Sequence, residues 1–432
     1  MPESNEKPMS SSMRCLWIGR HIPYPLDSGV KVYSAKLAGS LAAAGASVRF
    51  LGPGNTDAVP ESAAGVEWVA VPNDKRNEIL ALFSRLPNGA AIDATQAYRA
   101  LLDEQLEEHW DAIVLDTYAA GWALDRCLTY CRSHERRPVL VHVSHNHETA
   151  VWQSMVTRAQ TSLPKRFVWW QNALKVRALE ERVVRNVDLL AAITDEDVAA
   201  LIASVRRPLP APRTVTLTPG YHGTVASPRL IDTNTPRRVV IVGSFHWAPK
   251  QENLRQFVQC ADEVFARHGI ALDIVGEVPE SLQTELRART YATHFHGFVD
   301  DPAVALAQAR MALVPELIGG GFKLKFLDYL FGRIPVATLG AAAAGLPQTL
   351  RDEMLVCDDL QALVDGIVAE MDDFPLLNRR QQNAFELAKT LYRWEDRGQQ
   401  LNQALTRIHR SFQLRDQQRP GAWKISAPLQ TK

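Results

Sequence analysis

The feature that most narrows the folds open to this chain is a rhythm that occurs twice. A short aliphatic and β-branched run is followed by a longer stretch with helical periodicity, and the pair then repeats. In the first half such runs stand at 14–18, 47–51, 67–71, 112–115, 139–143 and 189–193. In the second half they stand at 238–242, 272–275, 293–296, 312–314, 335–338 and 354–357. Continuous apolar runs suit strands covered on both faces, and strands that alternate with helices build parallel sheets. At 432 residues the chain exceeds what one core accommodates, since single cores stop growing at about 250–300 residues. Two α/β domains in tandem are the expected result.

Punctuation in the sequence divides the chain. A helix over 30–44 stops at Gly45, and prolines and arginines break the periodicity over 205–212, followed by Thr218-Pro219-Gly220. Asp301-Pro302 places an N-cap and a first-turn proline before a helix at 303–309. The expected units are a polar tail at 1–12, a first domain at 13–220, a linker at 221–236, a second domain at 237–392, a closing helix at 393–414 and a tail at 415–432.

Composition excludes several classes of function. Lys+Arg and Asp+Glu are both 48, so the chain lacks the cationic excess that bulk nucleic-acid binding requires. Residues 1–12 have no apolar core, and no run is long and apolar enough to cross a bilayer. The five cysteines are scattered, with Cys127 and Cys131 one helical turn apart and no His or Cys cluster to complete a metal site. They read as buried thiols of a cytoplasmic protein.

The segment Leu313-Val314-Pro315-Glu316-Leu317-Ile318 leaves a predicted strand, crosses Gly319-Gly320-Gly321, and enters a helix through Phe322-Lys323-Leu324-Lys325. Glycines let backbone approach a ligand, and a helix start offers unpaired N–H groups to an anion such as a phosphate. Lys325 would add a full charge against a departing diphosphate. Asp328, three residues on, shares its helix face and would suit a ribose diol. Taken alone, such a loop fits a surface turn with a solvated Lys and Asp equally well.

The stretch 319–347, GGGFKLKFLDYLFGRIPVATLGAAAAGLP, resembles the donor-binding motif of GT4-type (group 1) glycosyltransferases, with Lys325, Asp328, Gly332, Pro335, Thr338 and Gly345-Leu346 at matching positions. His145-Asn146-His147-Glu148 resembles the family's block after a first-domain strand, and Thr194-Asp195-Glu196-Asp197 its acidic helix start. Gly243-Ser244-Phe245-His246-Trp247-Ala248-Pro249-Lys250 resembles its Gly…Trp-x-Pro-Asn block, with Lys250 in place of Asn. The likeness runs from Met13 to about Phe412. The chain departs from the pattern at Asp328, where Glu is usual, at Gly320, where the first acid of a Glu-x7-Glu pair falls, and at Leu317, where many relatives carry Arg. Glu316 is the candidate to supply the missing carboxylate.

The resemblance implies the GT-B fold, two Rossmann-like domains facing a central cleft with a C-terminal closing helix. It implies sugar transfer with retention, from a nucleotide-diphosphate sugar to a hydroxyl acceptor: a glycan, a lipid-linked saccharide or a small molecule. No cofactor or metal is expected, and Lys325 and His145 are the expected catalytic groups. Gly243, Glu316, Gly319, Gly320, Gly321, Phe322, Lys325 and Asp328 would bind the donor. Asp27, Ser28 and Gly29 would form a loop near the phosphates and acceptor, although a proline-rich turn capped by Ser28 explains that loop as well. The acids Asp195 and Asp197 are expected to cap a helix rather than hold a metal. Two other functions stay open, a nucleotide-sugar 2-epimerase and a non-catalytic partner of another transferase.

One helix carries a separate question. From Lys165 to Asn186, Phe167, Trp170, Leu174 and Ala178 recur at helical spacing among Lys165, Arg166, Lys175, Arg177, Arg182 and Arg185. Such a helix would suit the inner surface of an anionic membrane. The expectation preferred here is that its aromatic stripe packs into the first domain.

Overall fold

In a computed structural model, residues 12–72, 81–158, 162–205, 211–287, 291–299, 301–317 and 321–417 are described. The first domain holds strands β1 (Arg14–Ile18), β2 (Ser47–Pro53), β3 (Val66–Val71), β4 (Ala112–Asp116), β5 (Val139–Ser144), β6 (Leu189–Ala192) and β7 (Arg213–Thr216). They form one parallel sheet in the order β3-β2-β1-β4-β5-β6-β7. The second domain holds β8 (Arg238–Val242), β9 (Ala271–Val275), β10 (Thr293–Gly297), β11 (Met311–Val314), β12 (Val336–Leu339) and β13 (Leu355–Cys357). These are also parallel, in the order β10-β9-β8-β11-β12-β13.

Burial explains why the strands read as continuous apolar runs. Cys15 and Trp17 enter the core on one face of the first sheet, while Leu16 and Ile18 enter the core on the other. The second sheet is covered likewise, with Val239 and Ile241 on one side and Val240 on the other. The helix Gly29–Ala43 ends where Gly45 takes φ +98°, as its sequence predicts. The short helix Ala303–Ala307 has Pro302 rather than Asp301 at its N-cap, and Asp301 Oδ1 accepts from the Ala303 N–H at 2.9 Å. Strand β7 lies within the expected first domain, just after the break at 205–212, where no strand was expected. It is a half-exposed edge without an apolar run.

The closing helix, Trp394–Gln417, returns from the second domain to the first. Trp394, Leu401, Leu405 and Ile408 complete the first domain's core. A β-carbon on Gly398 would overlap the Ser40 carbonyl of the helix Gly29–Ala43, so only glycine permits this approach. The chain crosses between domains along a bonded seam: Tyr221 N–H donates to Tyr392 O at 2.9 Å, and Arg397 Nε to Thr218 O at 2.7 Å.

The helix Leu163–Val184 departs from expectation. Its buried side is built from Asn172, Ala173, Val176, Leu179, Glu180 and Val183. Phe167, Trp170 and Leu174 face solvent rather than the domain. The physical reason lies in the two polar residues. Glu180 accepts from the Glu148 and Thr149 N–H groups at 2.9 and 3.2 Å, and Asn172 Oδ1 from the Asn88 N–H at 2.8 Å. These bonds satisfy the exposed starts of two other helices, so the face that carries Asn172 and Glu180 among its apolar residues turns inward.

Candidate active site

In both sheets the strand order reverses beside the first strand, between β1 and β4 and between β8 and β11. At such a switch point the loops leaving neighbouring strands diverge and open a crevice at their carboxyl ends. In the second domain this crevice receives Gly243 after β8 and Pro315-Glu316 after β11. In the first it receives Gly19 after β1 and Asp116-Thr117 at the end of β4, with His145 following β5 next door.

The loops from the two crevices meet. Gly321 has φ +70°, and a β-carbon there would overlap Asn146 Oδ1 and lie 3.4 Å from the His145 carbonyl. Gly29 faces Leu324, whose Cδ1 would be 3.1 Å from an added β-carbon. Gly345, at φ +80°, stands against the Thr194 side chain. The glycines therefore serve interdomain contact as well as ligand approach. Gly319 and Gly320 lie outside the described residues.

Lys325 opens the helix Lys325–Phe331, and its Nζ is 2.7 Å from Glu316 Oε1. Lys323 Nζ stands 3.8 Å from Glu316 Oε2 and donates to the Gly321 carbonyl at 3.3 Å. Burial pushes the Glu316 carboxyl up, but Lys325 and then Lys323 outweigh it and hold it below its ordinary range. Burial and repulsion from Lys325 lower Lys250, and burial lowers Lys323 with a smaller push from Lys325. Three ammonium groups thus surround one buried carboxylate. A β-carbon on Gly243 would lie 3.7 Å from Lys325 Nζ, so the absent side chain leaves the ammonium accessible from β8. Glu316, the candidate for the carboxylate missing at Gly320, is engaged with Lys325 and Lys323.

Asp328 follows on the same helix. Its side chain keeps an exposed edge yet is crowded by protein, and burial pushes its carboxyl up to about 6 against the pull of Lys325. Phe322 packs on the Tyr392 ring, with centroids 5.7 Å apart, and touches the cores of both domains. Leu317 packs against the second core, and its N–H donates to Asn253 Oδ1 at 3.0 Å. Asp27 pairs with Lys31 at 2.8 Å on the surface, and Ser28 occupies an N-cap position without a side-chain cap bond.

Across the cleft, His145 is nearly buried and its Nε2 lies 2.7 Å from Asp116 Oδ1. Trp17 Nε1 donates to the other oxygen of Asp116 at 2.9 Å. Burial raises the Asp116 carboxyl, but His145, then Ser34 and Trp17, hold it below its usual range. A carboxylate fixed in this way selects the His145 tautomer with Nε2 protonated and presents Nδ1 elsewhere. Tyr33 packs edge-on to the imidazole at 4.8 Å. Beyond His145, Glu148 is raised by burial, and Asp93, 3.3 Å from Arg20, is raised by burial to about 6. Thr194 Oγ1 accepts from the Asp197 N–H at 3.0 Å and caps the helix Asp195–Ser204, while Asp197 Oδ1 accepts from the His147 N–H at 3.2 Å just before the helix Glu148–Arg158.

Sequence reasoning missed Asp116 and Lys323. Asp116 was visible as a lone acid ending an apolar strand. Lys323 was visible two residues before Lys325 in the same motif. Lys250 was noted only as a departure from a pattern.

Residues 28–220 match a family profile described as glycosyl transferase 4-like domain, and residues 236–373 one described as glycosyl transferases group 1. Among curated proteins no sequence match reaches significance. Among solved structures, sucrose-phosphate synthase from Thermosynechococcus elongatus superposes with TM-score 0.69 at 19% identity, covering 92% of this chain and 100% of its own. The Anabaena protein HepE in complex with UDP and glucose gives 0.61 at 14%, covering 91% and 100%. WaaG, a glycosyltransferase involved in lipopolysaccharide biosynthesis, gives 0.59 at 18%, covering 92% and 99%. At these identities the superpositions establish the GT-B fold. The two profile matches, one on each Rossmann-like domain and together spanning most of the chain, place this protein in the group 1, GT4-like glycosyltransferases.

Proposed function

We propose that the protein moves a sugar from a nucleotide-diphosphate donor to a hydroxyl acceptor, with retention at the anomeric carbon and without a metal ion. The observation that carries this reading is the cluster of Lys250, Lys323 and Lys325 around Glu316, placed opposite His145 and Asp116. Three ammonium groups less one carboxylate leave two positive charges. A nucleotide-diphosphate sugar carries two negative ones. Burial and repulsion from Lys325 disfavour the charged forms of Lys250 and Lys323, and an anion among them would relieve both effects.

In the proposed step the acceptor oxygen bonds to the anomeric carbon as the bond from that carbon to the diphosphate breaks. The acceptor proton passes to a departing phosphate oxygen. Lys325 and the N–H groups at its helix start stabilise the charge that grows on the diphosphate. Asp328 holds the ribose diol, and His145, oriented by Asp116, holds a hydroxyl of the transferred sugar. The acceptor enters between Asp27-Ser28-Gly29 and the wall of Arg20, Asp93 and Glu148. Its class is a glycan end or lipid-linked saccharide, which would place the protein peripherally on the inner face of a membrane.

The test is incubation with UDP-, GDP- and dTDP-sugars and glycan or lipid-linked acceptors in the presence of a chelator, with the product anomer read by NMR. The expected product keeps the donor's anomeric configuration, at a rate the chelator does not change. An inverted product would contradict retention, and a strict need for a divalent ion would contradict the charge scheme. Epimerised donor in acceptor-free incubations would replace transfer by isomerisation.

A further inference from the structure

The helix Leu163–Val184 is apolar on two opposite sides. One side is its contact with the domain. The other is a row of Leu163, Phe167, Trp170 and Leu174, which are 78%, 62%, 48% and 48% exposed. At 100° per residue these four fall within about 60° of one another, almost opposite the buried side. Phe167 and Trp170 lie together, ring centroids 5.8 Å apart. The segment at 81–86 extends the patch: Lys175 Nζ donates to Leu82 O at 2.7 Å, and the neighbouring Phe83 is 85% exposed. Soluble helices rarely leave such a row uncovered.

Charge identifies what covers it. From Leu163 to Leu179 the helix carries Lys165, Arg166, Lys175 and Arg177 and no acidic residue, and Arg85 is exposed beside Phe83. A second copy of the chain would set these cations against their own kind. An anionic bilayer accepts both features at once, with apolar and indole side chains at the acyl boundary and cations among the headgroups. We propose that this helix face, with Phe83, docks the protein on the surface of an anionic membrane. The docked helix is the one whose Glu180 holds the start of the helix Glu148–Arg158, directly after His145-Asn146-His147. Docking therefore brings the helix that anchors this first-domain segment to the lipid surface. This deepens the reading of a lipid-linked acceptor and rests on it for its purpose, but not for its test.

The experiment is co-sedimentation of the full chain with vesicles of phosphatidylcholine alone and of phosphatidylcholine with phosphatidylglycerol, without donor or acceptor. Wild type is expected to bind the anionic vesicles, less so as salt rises. Phe167→Ser/Trp170→Ser/Leu174→Ser should lower partitioning at least about tenfold through lost apolar insertion. Arg85→Gln/Arg177→Gln should lower it by about fivefold per charge removed. The serine variant should keep the wild-type melting temperature and nucleotide response, since the positions it changes are already exposed. No binding of wild type to anionic vesicles at low salt would overturn the proposal, as would unchanged binding by the serine variant. So would a solution dimer that the serine variant dissolves. Because no nucleotide is present, failure here leaves the transferase reading standing, and failure of donor binding leaves this one.

Discussion

Lys325 sits at the first position of its helix with its ammonium 2.7 Å from Glu316, so substituting it removes two interactions together. Loss of charge stabilisation on the leaving group should lower kcat/KM by on the order of 10²–10³ in Lys325→Ala. Glu316 is left buried with Lys323 at 3.8 Å and the weaker pull of Lys250, which should destabilise the fold by about 3 kcal/mol. From sequence alone the lysine reads as a site residue whose loss leaves the fold intact. The paired variant Glu316→Gln/Lys325→Gln should recover most of the stability and none of the turnover, which thermal melts and steady-state kinetics separate. Asp116→Asn should keep the shape of its pocket while loosening the His145 tautomer, lowering kcat by roughly 10- to 100-fold with donor affinity nearly unchanged. Asp328 predicts a pH effect. Its folded value of about 6 stands above the ordinary 3.8, so its contribution to stability is present below that window and lost as pH rises through about 6. As a ribose acceptor it works ionised, so nucleotide-sugar affinity should fall as pH drops through about 6. Calorimetry should find that dependence flattened in Asp328→Asn.

The elements that meet at the cleft owe their positions to glycine. Gly321 combines φ +70° with an approach that leaves no room beside Asn146. Gly321→Ala should cost about 1–2 kcal/mol for the backbone alone, and more where the loop must meet the first domain. Donor affinity should therefore fall further than the melting temperature, a difference that titration against thermal melts would show. Most strands were legible because burial on both faces leaves nothing but apolar residues to read, as at 14–18 and 238–242. Strand β7 was not, because Arg213–Thr216 is a half-exposed edge behind a proline-rich stretch. The facing of the helix Leu163–Val184 was not legible either. Its inward side holds Asn172 and Glu180, whose partners are backbone groups distant in sequence. Half of the candidate site was visible as a motif, from Gly321 to Asp328. Asp116 acquires meaning only once the pairing of β4 with β5 brings it beside His145, and Lys323 only once its loop folds back on Glu316.

At the scale of the whole molecule, two sheets form one cleft because the closing helix ties the second domain back to the first. Leu401, Leu405 and Ile408 belong to the first domain's core although they follow the second domain in the chain. Gly398→Leu, which drives a side chain into the Ser40 backbone, should destabilise the first domain by roughly 2–3 kcal/mol. A denaturation curve in which the first domain melts early would show it. The cleft is also where the central claim resides: the lysine cluster holds the diphosphate of a nucleotide sugar. The most direct measurement is a thermal-shift panel of UDP-, GDP- and dTDP-sugars against wild type and the Glu316→Gln/Lys325→Gln variant. The account predicts that at least one donor, at about a hundred times its dissociation constant, stabilises wild type by roughly 2.7 kcal/mol, and that the variant's response is lost. A donor that stabilises both proteins equally, or no response to any nucleotide sugar, would contradict it.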